Sequence, residues 1–302
     1  MPEVKGGDDT TTLLHDDTTD TTARRKKNRK NERMSVILHF RKSGHGAPLV
    51  ILHGLYGASD NWISIARKLE GQFTVFIPDL RNHGHSPHII SHTYQDMVDD
   101  LFQFFKDHQI NKAIILGHSM GGKLAMMFAS EYPELVENLI VADIAPKSYN
   151  SIDKPYKTVL QHEIILGLME ELKLVAVSSR KEIDHFLSEK LKDSTLRQFL
   201  IKNIHRNKDD YFEWKINVPV LKYALHSITS EVSSEWFAGR TPILNYPVTF
   251  IRGLNSDYIS DDDIPVIKEI YPEARVIGIP GAGHWLHAEQ PEKFVEAILS
   301  SI

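Results

Sequence analysis

The chain has 302 residues, 41% hydrophobic and 25% charged, with no cysteine and a formal net charge of −5. That is the composition of a globular protein able to bury a large core, and it excludes disulfides, thiol nucleophiles and cysteine-ligated zinc. No stretch approaches the roughly 18 apolar residues of a membrane span or the apolar core of a signal peptide, and the negative balance gives no electrostatic reason to expect nucleic acid as the main partner.

In chain order, residues 1–23 carry Glu3, Asp8, Asp9, Asp16, Asp17 and Asp20 against Lys5, and residues 24–33 carry seven bases against Glu32. The segment 1–33 is Thr- and Asp-rich and almost free of large apolar side chains, so it cannot recover the entropy cost of folding and is expected to be a disordered leader or appended tail. The basic run 23–30 reads as part of that solvated tail in preference to a nuclear address or an anion-binding arm. Met34 is the natural start of the folded part.

From Ser35 onward short apolar runs alternate with helical stretches, which predicts an α/β domain on a mostly parallel sheet flanked by helices. Strands are expected at 48–53, 73–77, 112–117 and 138–142, with helices near 93–108 and 120–132. After Pro146 the strand rhythm stops for about ninety residues; 159–171, 180–191 and 195–204 have helical spacing instead. Strands return at 247–251 and 274–279, and a helix runs from Pro291 to about Leu299. A core of 34–146 and 244–302 is therefore expected, interrupted by a helical cap at 147–243 before the penultimate strand.

Gly117-His118-Ser119-Met120-Gly121 fits Gly-x-Ser-x-Gly between a predicted strand and a predicted helix. That context makes a nucleophile elbow: a strained turn lifts the serine hydroxyl above the sheet at a helix N-terminus, and small residues at Gly117, Gly121 and Gly122 let strand and helix approach. A serine hydroxyl needs a base and a group to orient it. His284, in the glycine-rich run 281–285 after the last strand, is the expected base, whereas His118 points away on the tight turn and is given a structural role. Two acids fit, Asp143 at the end of strand 138–142 and Asp257 in the loop 253–258; both lie at carboxyl ends of strands, where sites in open α/β sheets form, and local sequence does not separate them.

Oxyanion donors are expected from the N–H groups of Met120 and Leu55, with Gly54 admitting close backbone approach. His53, Gly54 and Trp285 beside the catalytic loops, and Trp214, Tyr223 and Trp236 in the cap, are the expected substrate contacts. Phosphate loops, dinucleotide fingerprints and a supported metal-ligand pattern are absent, so neither cofactor nor metal is expected.

Taken together, segments 53–62, 79–87, 117–123, 143–146 and 281–291 resemble the α/β-hydrolases, and within them the small YbfF-type esterases with their mitochondrial abhydrolase-domain and fungal ethanol acetyltransferase relatives. The resemblance covers essentially 35–302, including 214–219 as a piece of the cap. It implies the α/β-hydrolase fold, the chain order serine, acid, histidine, and Asp143 as the acid, because this branch uses the earlier aspartate and reads Asn-Ser-x-Tyr at the later loop. Asp257 at the variable position is a departure that keeps it as the alternative. The implied activity is hydrolysis of a small-molecule carboxylic ester, of short to medium acyl length, through an acyl-enzyme. Interception of that intermediate by an alcohol or thiol would make an acyltransferase, and loss of turnover a small-molecule sensor. The expected compartment is the cytoplasm, or the mitochondrion in a eukaryote; oligomeric state is not readable.

Overall fold

A computed structural model describes residues 35–150, 157–237 and 239–302; the leader 1–33, and with it the expectation of disorder, lies outside the described residues. Strands β1 (Phe40–Gly44), β2 (Ala47–Leu52), β3 (Phe73–Pro78), β4 (Ala113–His118) and β5 (Val136–Ala142) come first; β6 (Ile204–Arg206) and β7 (Phe212–Trp214) form a separate antiparallel hairpin; β8 (Val248–Gly253) and β9 (Arg275–Ile279) follow. The seven-stranded sheet has the order β1-β3-β2-β4-β5-β8-β9. β1 pairs antiparallel with β3, and the other neighbours are parallel.

The central strands are apolar on both faces, as a parallel sheet covered by helices requires. Val50 and Leu52 of β2, Ile115 of β4, and Leu139 and Val141 of β5 point into one core; Leu49 and Ile51, Ile114 and Leu116, and Ile140 and Ala142 point into the other. Each fully buried leucine or isoleucine stabilises the fold by roughly 1.5–3 kcal/mol.

Helices α1 (Ile63–Leu69), α2 (Tyr94–Asp107) and α3 (Met120–Glu131) connect the early strands. Between β5 and β8 lie α4 (Lys157–Glu171), α5 (Arg180–Ser188), α6 (Ser194–Ile201), α7 (Val218–Thr229) and the short α8 (Ser234–Phe237); α9 (Ile264–Ile270), the short α10 (Leu286–Glu289) and α11 (Pro291–Leu299) complete the chain. Local chemistry sets several of these starts. Thr93 caps α2, its hydroxyl accepting from Asp96 N at 3.1 Å, and Asp193 caps α6 by accepting from Thr195 N at 2.8 Å; such a cap contributes about 1 kcal/mol. No helix among the described residues is long and apolar enough to cross a membrane.

Sequence reading missed β1, β6, β7, α1, α7 and α9, and the short α8 and α10. β1 is a polar edge strand, FRKSG, with no alternation to detect. The strands of the hairpin are three residues each, and α7 and α9 start with prolines, Pro219 and Pro265, in their first turns, where proline is tolerated.

The loop after β3 is pinned to its surroundings. Arg81 is buried against Asp100 in a two-pronged pair at 2.6 and 2.8 Å, and Asp79 accepts from Ser59 N and His85 N at 2.6 and 2.9 Å. Asn82 ties the same loop to the helical segment: its backbone carbonyl accepts from Asn217 N at 2.9 Å, and its side-chain oxygen from Asn217 Nδ2 at 3.0 Å.

Candidate active site

Ser119 is the single residue between β4 and α3, with φ 54° and ψ −120°. A non-glycine residue at positive φ is strained by about 1–3 kcal/mol and persists only where its surroundings hold it. Here Ser119 N donates to Ala142 O at 3.0 Å, and Ser119 O accepts from Gly122 N and Lys123 N at 2.8 and 3.1 Å. The turn is so tight that a Cβ on Gly121 would lie 2.3 Å from Leu52 O and 2.5 Å from His53 O. Gly121→Ala should therefore lower stability by roughly 1–3 kcal/mol, because backbone must move to admit the methyl group. Gly71→Ala, with nothing within 4 Å of the added carbon, is the control: a thermal melt should separate the two by several degrees, and equal midpoints would refute the crowding argument.

His284 follows β9 in the loop before α10, and its Nε2 lies 3.1 Å from Ser119 Oγ. On its other side Nδ1 is 2.9 Å from Asp143 Oδ2. With a carboxylate at Nδ1 the imidazole carries its proton there, leaving Nε2 to accept from the serine hydroxyl. Asp143 stands just beyond β5, fully buried, its N–H donating to Ile251 O at 2.8 Å. Its carboxylate also accepts from Gly253 N at 3.0 Å and from the Ser256 hydroxyl. Burial raises the Asp143 carboxyl above the usual carboxylate range, opposed by the Ser256 and Gly253 donors. Burial also lowers His284 below the ordinary histidine value, so it rests as neutral imidazole, the form able to take a proton.

Asp257, the other candidate acid, is exposed in the loop after β8. The structure brings Asp143 to His284 and leaves Asp257 at the rim. Two neighbours in that loop were missed by the sequence reading: Ser256, bonded to Asp143, and Tyr258, whose ring stacks on His284 at 3.7 Å and 12°. The Asn-Ser-x-Tyr run was the available signal, since a hydroxyl and an aromatic ring placed beside a predicted acid can both brace the dyad. His162 of α4, also missed, meets the Tyr258 hydroxyl with Nε2 at 3.0 Å.

Leu55, Met120 and Ser119 line one pocket. Neither backbone N–H, that of Leu55 or that of Met120, has a hydrogen-bond partner among the described residues. The rest of the wall includes Lys123, Ile144, Tyr149 and Tyr258, with Val159, His162, Ile228 and Thr229 contributed by the segment between β5 and β8.

Four of the expected substrate contacts are placed away from the Ser119 pocket. His53 is fully buried, with Nδ1 donating to Gly54 O at 2.9 Å and Nε2 accepting from Leu80 N at 2.9 Å, so both nitrogens are committed to holding loops. Trp214 donates its indole N–H to Met169 O at 3.0 Å, joining the hairpin to α4. Tyr223 is 92% exposed, because α7 buries Leu221, Ala224, Leu225 and Ile228 instead. Trp236 packs on the core, and its carbonyl accepts from Ser130 Oγ at 2.7 Å. None of the four lines the Ser119 pocket. Gly54 does lie at the site, a Cβ there falling 3.0 Å from Ser119 Cβ. Trp285 lies beside His284 in an adjoining chamber and packs on Phe199 at 4.3 Å. His118 donates Nε2–H to His284 O at 2.8 Å, which fixes the histidine loop.

Comparisons with known proteins agree with the fold. A family model described as alpha/beta hydrolase fold matches residues 47–291. The sn-1-specific diacylglycerol lipase ABHD11 of Danio rerio is 35% identical over 267 residues, spanning 86% of this chain and 80% of the relative. Esterase YbfF of Escherichia coli is 32% identical over 254 residues, 84% of this chain and 92% of the relative. A Saccharomyces cerevisiae protein named "Probable alcohol acetyltransferase" is 33% identical over 271 residues, 84% of this chain and 77% of the relative. Among solved structures, a marine microorganism esterase superposes with a TM-score of 0.84 at 44% identity, covering 89% of this chain and all of that one.

Proposed function

The chain belongs to the α/β-hydrolase family, and on that footing we propose that it is a serine carboxylesterase working through an acyl-enzyme on esters of short to medium acyl length. The observation that carries the reading is the unbroken relay Ser119 Oγ, His284 Nε2, His284 Nδ1, Asp143 Oδ2, at 3.1 and 2.9 Å, beside the Leu55 and Met120 N–H groups, which have no partner among the described residues.

His284 takes the serine proton as Oγ attacks the acyl carbonyl. The N–H groups of Leu55 and Met120 hold the negative charge that develops on the carbonyl oxygen, and the N-terminal end of α3 favours it. His284 then returns the proton to the alkoxide, which leaves as an alcohol, and water repeats the cycle on the acyl group. Asp143 keeps the imidazole in the required tautomer and stabilises its positive form. The four pocket residues from α4 and α7 support reading 147–243 as a cap over the site. A fluorophosphonate should add one mass shift, on Ser119, with parallel loss of p-nitrophenyl ester turnover; a shift on any other residue would assign the nucleophile elsewhere.

Acyl transfer is the second reading, favoured by the yeast relative's name. Adding ethanol during turnover of an acetyl ester separates the two: ethyl acetate in excess of acetate would mark transfer, acetate alone hydrolysis.

A further inference from the structure

Among the described residues, Ser119 borders one chamber and His284 another, and the two are of unequal size. The pocket bordered by Ser119, Leu55 and Met120 has a volume of about 20 Å³, room for one or two water-sized groups, and is lined further by Ile144, Val159 and Ile228. The second, of about 160 Å³, is bordered by His284 and Trp285 and opens among Gln161, Asn255 and Asp257. His162 and Tyr258 line both, and the contact between them, His162 Nε2 to Tyr258 OH at 3.0 Å, stands as the partition.

Chemistry assigns each chamber its half of the substrate. The carbonyl oxygen must reach the Leu55 and Met120 N–H groups, which places the acyl carbon beside Ser119. The alkoxide oxygen must receive the proton from His284, so the alcohol lies towards the chamber that histidine borders, and the chain on the acyl carbon takes the chamber beside Ser119. When the Ser119 Oγ–acyl bond forms and the acyl–alkoxy bond breaks, the proton taken from Ser119 goes to the alkoxide, and the alcohol departs on the wide side.

We propose that this enzyme is selective for acetyl-sized acyl groups and permissive for bulky alcohols, with Val159 and Ile228 setting the acyl limit from the cap. The inference rests on the serine esterase reading and adds the division of the substrate. A longer acyl chain has to push Val159 and Ile228 aside, whereas a larger alcohol extends into open space.

Three phenolic esters test this on the intact protein: phenyl acetate, phenyl hexanoate and 1-naphthyl acetate. Lengthening the acyl group should lower kcat/KM at least about tenfold, and enlarging the alcohol should change it by no more than about threefold. Val159→Ala combined with Ile228→Ala should raise the hexanoate-to-acetate ratio about tenfold, and Val159→Phe should lower it further. Each ratio is taken within one protein preparation, so partial misfolding cancels. A wild-type enzyme that prefers hexanoate, or a ratio unmoved in either variant, overturns the proposal. If Ser119 still takes fluorophosphonate and phenyl acetate is still turned over, that failure belongs to the chamber assignment alone; loss of both would remove the serine esterase reading as well.

Discussion

Ser119→Ala is expected to lower ester turnover about a million-fold, His284→Ala by a similar factor, and the double variant little further. Non-additivity is the decisive part. Ser119 and His284 share one proton across 3.1 Å, so removing either leaves the other without a step to perform. The fold should survive the serine change. Alanine keeps the Cβ, adopts the positive φ at a similar cost, and preserves the backbone bonds to Ala142, Gly122 and Lys123 that hold the turn. What remains in the variant is binding and the oxyanion donors, together worth about a thousand-fold or more over water. Steady-state turnover of p-nitrophenyl acetate, with thermal melts confirming that each variant is folded, makes the comparison. Near-normal turnover by a folded Ser119→Ala protein would end the nucleophile assignment.

The elements that sequence exposed were those whose signal is local. β2, β4 and β5 are runs of branched apolar residues buried on both faces, and α2 and α3 follow them with clear spacing. Gly-x-Ser-x-Gly is legible because the strain at φ 54° needs Gly121 against the Leu52 and His53 carbonyls, and that need is written in the residues themselves. The cap contacts were not legible, since an aromatic residue in a helical stretch gives no sign of which way it faces. Tyr223 and Ile228 lie five residues apart on α7, and only the packing of α7 on its neighbours turns one to solvent and the other to the pocket. His162 was hidden for the same reason. Its partner Tyr258 is 96 residues away, a pairing that exists only after the sheet has placed β8 beside β5. His53 misled because a histidine beside an oxyanion loop looks chemical, while both its nitrogens are spent on backbone groups.

The acid is where sequence left two residues and geometry distinguishes them. A triad aspartate must accept the histidine N–H and remain ionised beside the imidazolium that forms. Asp143 meets His284 Nδ1 at 2.9 Å and is held there by Gly253 N and the Ser256 hydroxyl. Asp257 is exposed, and its charge is screened by water before it reaches the ring. Asp143→Asn keeps the shape but offers an amide N–H where the imidazole needs an acceptor, favouring the wrong tautomer, a change that costs about ten-thousand-fold in a serine protease. Asp143→Asn should accordingly lose about that factor in kcat, while Asp257→Asn stays within about tenfold of the parent. Both are measured at pH 7 to 8, where His284 is neutral, and after confirming folding, because Asp143 also anchors the Gly253 turn. The reverse ranking, with Asp257→Asn inactive and Asp143→Asn active, would mean that the loop after β8 swings its own carboxylate onto His284 during turnover, and that the buried Asp143 serves the fold alone.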